Sequence, residues 1–398
     1  MIMEFPKKTL LDLQRKGQIE TFIQNLEILT CRRIIEENHN DEILQLVEKP
    51  TYCNSRRYLA TISPTQVNIY DNEDSSMGIG FFAHYSIEET PYFKGGTCTT
   101  GCWLFPQKER PLDCYLATGT SLGEVFILSC NECTVVSILT NDTGSPITSM
   151  AVSPVYPEYL LVTEKDGSIR CWNVVSKNCE FCLNNCDARY ICWDGPESLV
   201  LLQNDDLKIL SMTNRELEAF ELLGDNLTPI TGIMSLPLRR EWVVLTTKEI
   251  HRVNWDSRVD SVFQTENLHE TFCPNRYSVA VDNSYICISD NSNTLCVDVN
   301  GKVIGGLVDN YATGGQPGKE QTSYRKEPIV TAIIYPDAKS AVMIEKNRVM
   351  RFDTLDPNDR FVAHIKFPHP VEDMFLFYES LNAEPLMYLF PKIQQEEE

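Results

Sequence analysis

Apolar and polar residues alternate along most of the chain in short runs that polar turns interrupt. In segment 58–71 an apolar tetrad is followed by a turn of Ser, Pro and Thr and then by a strand in which Val67 and Ile69 alternate with Gln66 and Asn68. Side chains that alternate in this way point to opposite faces of a β-strand, so one face is apolar and the other polar. The segment therefore predicts a β-hairpin.

The hairpin pattern recurs seven times along the chain. Its copies begin at residues 58, 115, 159, 198, 242, 285 and 341. Most intervals between copies are close to the about 40–45 residues that one four-stranded blade of a β-propeller occupies. A further strand precedes most copies, as in segments 147–158 and 230–241, and we interpret it as the innermost strand of a blade. The spacing therefore predicts an all-β chain of radially arranged blades, which leaves only short, protected sheet edges.

The third copy, in segment 145–174, is the one that most resembles a WD repeat. Asp166 occupies its turn, and Trp172 stands where the Trp-Asp pair of such repeats usually lies. We interpret Asp166 as a hydrogen-bonded turn residue and Trp172 as a packed ring, with ligand contact as the alternative for both. His39 stands where many WD repeats have a Gly-His pair before the inner strand. We expect this histidine to bond within its blade rather than to act chemically.

The two ends of the repeat array are predicted to meet in one blade. Segment 31–50 has the pattern of an outer strand, a turn and an inner strand, and its first strand, at about 30–37, would complete the seventh blade. Segments 17–25 and 371–380 also have strand patterns and would build an eighth blade instead. We therefore predict a single WD40-like β-propeller with seven blades, eight being the alternative, and at most one short helix near the N-terminus. The predicted boundaries are an N-terminal extension at 1–29, the propeller at 30–367 and a C-terminal extension with an acidic tail at 368–398.

The chain is acidic, with 35 basic and 56 acidic residues and a formal net charge of −21. This charge repels nucleic acid and favours basic protein partners. The insertion 309–328 differs from the rest because it is rich in Gly and polar residues and carries a basic cluster with an aromatic ring. We predict a loop that contacts a partner, with a solvated loop as the alternative. The candidate partner-binding residues are Lys319, Tyr324, Arg325 and Lys326.

The composition indicates an ordinary globular chain. Of its 398 residues, 42% are hydrophobic and 23% are charged. No apolar run approaches the about 18 residues that a membrane-spanning helix needs, and the N-terminal segment lacks the pattern of a secretory signal. The fifteen cysteines are an odd number, which favours a reducing compartment with mostly free thiols over a disulfide framework.

Sequence motifs of the common catalytic sites are missing. The sequence has no Gly-rich phosphate loop, no His-Glu-x-x-His helix and no Gly-x-Ser-x-Gly elbow, and its six histidines fall in different repeats. We therefore expect neither an enzyme nor a cofactor. The spacing of zinc ligands occurs in two cysteine pairs, Cys130/Cys133 and Cys179/Cys182. Two more cysteines, Cys186 and Cys192, follow the second pair closely. We interpret them as buried or incidental thiols and expect no metal, with a zinc site as the alternative.

Several segments together resemble the Polycomb propeller family of embryonic ectoderm development and extra sex combs. Segments 30–50 and 56–71 look like the entry strand and first blade of that family. Segment 101–128, followed by the third repeat, looks like its second and third blades, and 329–355 looks like its last blade. The chain is also similar to the propeller of the leucine-rich-repeat and WD-repeat protein associated with the origin recognition complex, although it has no leucine-rich repeats.

The resemblance implies a non-catalytic scaffold subunit of a nuclear, chromatin-associated complex that modifies histones. Members of the family hold a methyltransferase subunit on one face and read trimethyl-lysine through an aromatic cage on the other. The cage positions fall here at Leu44, Thr99 and near Glu270, and none of these is aromatic. Because a cage needs ring faces around the cation, we expect no working methyl-lysine cage. The expected partners are protein subunits, among them a methyltransferase-like subunit or histones, with no direct nucleic acid and no membrane. The expected location is the nucleus, with the cytoplasm as the alternative.

Two other functions stay open at this point. A propeller of this kind also serves as an adaptor in other assemblies, for example transcription machinery or a ubiquitin ligase that recruits substrates through it. The third possibility is a propeller enzyme or metal-binding protein that uses the cysteine cluster. Fold alone does not choose among them because propellers host many unrelated functions.

Overall fold

The computed structural model of the protein describes most of residues 29–366. The longer stretches outside the described residues are 1–28, 50–56, 73–78, 88–93, 105–112, 223–229, 265–275, 280–284, 308–328, 335–339, 355–362 and 367–398. The described residues form 29 β-strands and no α-helix. No helix in this part of the chain is therefore long and apolar enough to cross a membrane. The predicted N-terminal helix and the strands at 17–25 and 371–380 lie outside the described residues.

The strand bounds follow the chain order. The first fifteen strands are β1 (Leu29–Glu36), β2 (Gln45–Glu48), β3 (Tyr58–Ile62), β4 (Gln66–Asp71), β5 (Gly80–Ser86), β6 (Cys98–Leu104), β7 (Tyr115–Thr120), β8 (Glu124–Ser129), β9 (Thr134–Thr140), β10 (Ile147–Val152), β11 (Tyr159–Glu164), β12 (Ile169–Asn173), β13 (Asn178–Leu183), β14 (Ala188–Trp193) and β15 (Ser198–Gln203). The remaining strands are β16 (Asp206–Ser211), β17 (Leu217–Phe220), β18 (Ile230–Leu236), β19 (Glu241–Thr246), β20 (Glu249–Asn254), β21 (Asp260–Gln264), β22 (Arg276–Val279), β23 (Tyr285–Ser289), β24 (Thr294–Asp298), β25 (Val303–Leu307), β26 (Ile329–Ile334), β27 (Ser340–Glu345), β28 (Arg348–Thr354) and β29 (Ala363–Lys366).

Within the described residues these strands form seven sheets. Six sheets have four antiparallel strands in chain order, from β2–β5 through β6–β9, β10–β13, β14–β17 and β18–β21 to β22–β25. The seventh has the order β26-β27-β28-β1-β29, so strand β1 from the beginning of the described chain pairs antiparallel with β28, and β29 pairs parallel with β1. The strand predicted at about 30–37 is therefore β1. The all-β class is confirmed, and the run of four-stranded antiparallel sheets is consistent with a β-propeller.

Each hairpin forms where an apolar run meets residues that close a tight turn. In the β3–β4 hairpin, Ile62 pairs with Val67, and the turn between them is fixed by Ser63, whose backbone N–H donates to Gln66 O at 2.9 Å. The Ser63 hydroxyl in turn accepts the Gln66 N–H at 3.2 Å. A short hydroxyl side chain that bonds the backbone two or three residues on is a common device for closing such turns.

The hydrophobic core is divided into layers that lie between consecutive sheets. One layer joins Tyr58 and Ile69 of the β2–β5 sheet to Trp103 and Leu116 of the β6–β9 sheet. Equivalent layers join each following pair as far as β18–β21, and another joins the β1-containing sheet to β2–β5. The innermost strands follow one another in contact from β26 to β2, β6, β10, β14 and β18, and β22 contacts β26. Burial between layers of sheet is the main favourable term in such a fold.

Candidate functional site

The four residues predicted to bind a partner, Lys319, Tyr324, Arg325 and Lys326, lie outside the described residues. The candidate surface described here is the entry end, defined as the end of the sheets at which the inner strands β2, β6 and β10 begin. Backbone hydrogen bonds tie neighbouring segments together at this end. Leu44 N donates to Ile62 O at 2.7 Å, and Cys98 N donates to Pro64 O of the preceding sheet, also at 2.7 Å.

Two of the three cage positions that the family resemblance suggests lie at the entry end, one just before the inner strand β2 and one in the neighbouring inner strand β6. Leu44 directly precedes β2 and is 41% exposed, whereas Thr99 lies in β6 and its hydroxyl donates to Gly119 O at 3.1 Å. The strands β2 and β6 are in contact. The third position, near Glu270, lies outside the described residues. The structure thus has an aliphatic and a hydroxyl side chain at the two described positions.

Gln45 holds these two inner strands together. Its side-chain oxygen accepts the Gly101 N–H at 2.9 Å and the Thr100 hydroxyl at 3.2 Å. Gly101 permits the close approach, because a Cβ at this position would lie 2.8 Å from Ile62 Cδ1. The spacing of the strands at the candidate cage positions is therefore set by a glycine and an amide side chain.

Trp103 lies in β6, the strand that also carries Thr99, but its ring is buried against other residues. Its indole N–H donates to Val47 O at 3.0 Å, its side chain is 5% exposed, and its ring lies nearly parallel to that of Tyr58 at 6.2 Å between centroids. A ring that is packed between sheets does not present its face to a bound cation. Two further aromatic residues close to these positions in the sequence, Tyr52 and Phe93, lie outside the described residues.

His39 belongs to a buried polar cluster with Glu37 at its centre. His39 Nε2 lies 2.5 Å from Glu37 Oε2, while Thr61 and Tyr70 donate their hydroxyls to Glu37 Oε1 at 2.6 and 2.5 Å. The side-chain amide of Asn347 donates to the carbonyl oxygens of both Glu37 and His39. The cluster therefore joins the β1-containing sheet to β3 and β4 of the next sheet. The sequence pointed to His39 but not to Glu37, because the partners of Glu37 are far away along the chain.

Burial and the Glu37 carboxylate set the protonation of this cluster. Burial lowers the pKa of His39, but the hydrogen bond and charge of Glu37 outweigh it, so that the pKa is raised above 6.5. Burial, with a further contribution from Glu37, raises the pKa of Tyr70 well above 10. Burial lowers the pKa of His84 to about 4, and its Nδ1 lies 2.6 Å from Asn68 Oδ1. His84 is therefore neutral at physiological pH.

Asp166 and Trp172 have different surroundings in the third repeat. Asp166 is exposed, and its carboxylate accepts the Ser168 N–H at 2.9 Å across the β11–β12 turn. Trp172 is buried in the layer between the β6–β9 and β10–β13 sheets, with Leu104 and Leu160 in the same layer. Each residue thus has a structural contact within the fold.

Two charged clusters were not predicted from the sequence. Glu164 is fully buried and binds the Arg170 guanidinium at 2.6 Å. His251 is buried with one ring nitrogen 3.0 Å from Asp260 and the other 3.2 Å from Glu249. The signal that would have found Glu164 and Arg170 is their placement on two paired strands of one hairpin, because such residues lie close together.

The cysteines with zinc-ligand spacing do not converge in the described part of the chain. Cys179 donates its thiol to Phe181 O, and Cys182 donates to Asn184 Oδ1. Among the described residues, no group of three or more His, Cys, Asp or Glu side chains is placed to hold a metal ion. Burial raises the pKa of several thiols, that of Cys171 to about 12, so they are protonated at neutral pH.

No protein-family model and no curated protein matches the chain. The class of protein is therefore defined by the fold, which is a run of four-stranded antiparallel sheets consistent with a β-propeller.

Proposed function

We propose that the protein is a WD40-like β-propeller of seven blades, closed where β1 joins the sheet of β26–β28, and that it acts as a non-catalytic scaffold. The seven sheets of the described residues, the core layers between consecutive sheets and the pairing of β1 with β28 support this proposal. Closure of a propeller by a strand from the other end of the chain protects its termini from fraying. A rigid disc of this kind offers two faces and a rim to protein partners.

The proposed setting is a nuclear, chromatin-associated complex that modifies histones, in which the chain holds protein subunits. This part rests on the resemblance of segments 30–50, 56–71, 101–128 and 329–355 to the Polycomb propeller family. The observation that carries the mechanism is the pair Leu44 and Thr99, one just before β2 and one in the adjacent strand β6, at positions where the resemblance places cage rings.

The entry end suits a basic partner but not a methylated one. Asp41 and Glu42 lie close in sequence to Leu44, and Glu42 is exposed. Carboxylates attract an ammonium group whether or not it is methylated, whereas discrimination of trimethyl-lysine needs several ring faces. The proposed scaffold therefore binds histone-like segments by charge and does not read their methylation.

The contacts that the buried polar groups of the described residues make with one another support a non-catalytic role. Glu37, His39, Thr61 and Tyr70 bond one another inside the fold, and the Glu164–Arg170 pair links neighbouring strands. Groups that satisfy one another in the interior contribute to stability and uniqueness of the fold. They are not arranged as a nucleophile and base facing a cleft.

Affinity purification of the tagged full-length protein from nuclear extract tests the scaffold proposal. We expect subunits of a histone-modifying complex to be recovered in stoichiometric amounts. A matched variant, K319E/R325E/K326E, reverses the charge of the 309–328 loop and should lose a subset of these partners while its circular dichroism stays unchanged. Recovery of transcription-machinery or ubiquitin-ligase subunits instead would contradict the chromatin assignment, and recovery of no stable partner would contradict the scaffold role.

A further inference from the structure

Strands β23 and β24 carry two cysteines that lie directly opposite each other. In their antiparallel register Cys287 pairs with Cys296, between the pairs Ile286/Val297 and Ile288/Leu295. The two sulfur atoms are 3.8 Å apart, and the residues are 1% and 0% exposed. The two are not joined by a disulfide in this structure.

This placement meets the geometric requirement for a disulfide bond. Residues directly opposite in an antiparallel pair have Cα atoms about 4.5 or 5.5 Å apart, depending on whether the pair is hydrogen-bonded. Disulfides join residues whose Cα atoms are roughly 4.4–6.8 Å apart, so both cases fall within the range. The sulfurs need only approach from 3.8 Å to about 2.0 Å, which side-chain rotation and a small displacement of the strands can supply.

The pair Cys179/Cys182, which has zinc-ligand spacing, does not meet this requirement. Cys179 and Cys182 lie on the same strand, β13, where three residues of extended chain span roughly 10 Å. That exceeds the about 7 Å limit for bridging without backbone movement. Across the sheet, Cys179 faces Trp172 and Cys182 faces Arg170 rather than another cysteine.

We propose that Cys287 and Cys296 are a modification site at which hydrogen peroxide, as the oxidant, closes a reversible disulfide. The thiolate of one cysteine attacks a peroxide oxygen and becomes a sulfenic acid, and the O–O bond breaks to release water after protonation. The second sulfur then attacks the sulfenic sulfur, forms the S–S bond and expels a second water. Two thiols and one peroxide thus yield one disulfide and two waters, and the two sulfurs together lose two electrons to the peroxide.

Burial of the two thiols controls both the rate of their oxidation and the product that forms. It raises the pKa of Cys296 well above 9, and the contact with Cys287 raises it further, so the thiolate is scarce and the first step is slow and accelerates with pH. Attack therefore needs local opening of the hairpin. Once a sulfenic acid forms, the partner sulfur is already adjacent and reacts intramolecularly before a second peroxide arrives. The product is a disulfide rather than a sulfinic acid.

Peptide mapping of the full-length protein after peroxide treatment tests the proposal. Wild-type protein is treated, unfolded in the presence of an alkylating agent and digested, and we expect a linked peptide that joins Cys287 to Cys296 with the loss of two hydrogen atoms. Dithiothreitol should reverse the link. The thermal midpoint should rise on oxidation and fall back on reduction, because the bond cross-links neighbouring strands.

The variants C287A and C296A should each lose both the link and the shift in midpoint. C171A, which removes a buried cysteine that faces Phe181 across the sheet, is the matched control and should keep both. The wild-type map decides the question even if a variant folds poorly. The proposal is overturned if Cys287 and Cys296 stay fully alkylatable, if either links to a different cysteine, or if sulfinic acid accumulates at either position.

Discussion

At the scale of single residues, the described structure depends on a few buried polar groups that satisfy one another. Glu37 accepts two hydroxyl groups and contacts His39, and these partners come from segments that the chain brings together only on folding. Burying a carboxylate is costly unless it is paired and hydrogen-bonded. This explains why sequence patterns pointed to His39, which has a familiar position in WD repeats, and not to Glu37, whose partners Thr61 and Tyr70 are 24 and 33 residues away.

Replacement of Glu37 by alanine should strongly destabilise the protein. The variant E37A leaves His39 and two hydroxyls buried without their acceptor, and removal of one member of a buried pair typically costs about 3–5 kcal/mol. The measurement is the free energy of unfolding in urea. E42A, which removes an exposed carboxylate nearby, is the control and should change this free energy by less than about 0.5 kcal/mol. Equal stability of E37A and wild type would mean that the cluster contributes nothing.

His84 should make stability fall in mildly acidic solution. Its pKa is about 4 in the folded protein and 6.5 as the ordinary value, so the unfolded chain binds the proton more readily between these pH values. The contribution of His84 is therefore fully present above pH 6.5 and is lost as the pH falls towards 4. The total is about 3 kcal/mol at 1.36 kcal/mol per pKa unit.

The test compares wild type with H84N in urea unfolding between pH 4 and 7. Asn keeps a polar group but does not titrate, so the difference in unfolding free energy should change with pH in favour of the variant at low pH. Taking the difference removes the opposing effect of Asp194, whose pKa burial raises to about 6 and whose contribution is lost as the pH rises. A difference that does not vary with pH would contradict the burial of His84 as a neutral ring.

At the scale of elements, the hairpins were largely predictable and their contacts were not. Copies of the pattern were predicted to begin at residues 58, 115, 159, 198, 242, 285 and 341. The corresponding strands begin at Tyr58, Tyr115, Tyr159, Ser198, Glu241, Tyr285 and Ser340. Local alternation and turn chemistry suffice for this agreement. The pairing of Cys287 with Cys296 depends on the register of a single hairpin. The approach of Gly119 to Ile147 depends on packing between sheets and has no local signal.

Gly119 lies at a close contact between the β6–β9 and β10–β13 sheets. A Cβ at Gly119 would lie 2.6 Å from Ile147 Cγ2 and 2.8 Å from Ile147 Cβ, distances that real contacts do not show. G119A should therefore destabilise the protein by roughly 1–3 kcal/mol through overpacking. In the double variant G119A/I147A the loss should be smaller than the sum of the two single losses, because the space vacated by Ile147 accepts the new methyl group. Simple additivity would show that the two sheets do not meet at this point.

Trp172 should be essential to the layer between the same two sheets. W172A removes a large ring that is buried with Leu104, Leu160 and Val174, and such losses cost about 3–5 kcal/mol. Thermal and urea unfolding should both report the loss. V175A, at an exposed position three residues further on, should leave the midpoint unchanged. A W172A midpoint equal to that of wild type would indicate that the ring is exposed and available to bind a ligand.

At the scale of the whole molecule, the proposed scaffold carries a large negative charge. A net charge of −21 favours encounter with basic segments, and this attraction weakens with added salt. The periodic hairpins predicted the all-β class because they are a property of the sequence alone. They do not identify partners, since partner choice depends on surface side chains rather than on the fold.

The central claim is that this scaffold binds histone-like segments without reading their methylation, because Leu44 and Thr99 replace cage rings. The most direct measurement is calorimetric titration of the full-length protein with matched trimethyl-lysine and unmodified histone-tail peptides. We expect dissociation constants that agree within about threefold for wild type, a difference of less than about 0.7 kcal/mol. The variant L44F/T99Y, which restores two rings, should favour the trimethylated peptide, whereas V175F, an exposed ring elsewhere, should not. A wild-type preference for the trimethylated peptide of more than about tenfold, or ~1.4 kcal/mol, would contradict the account.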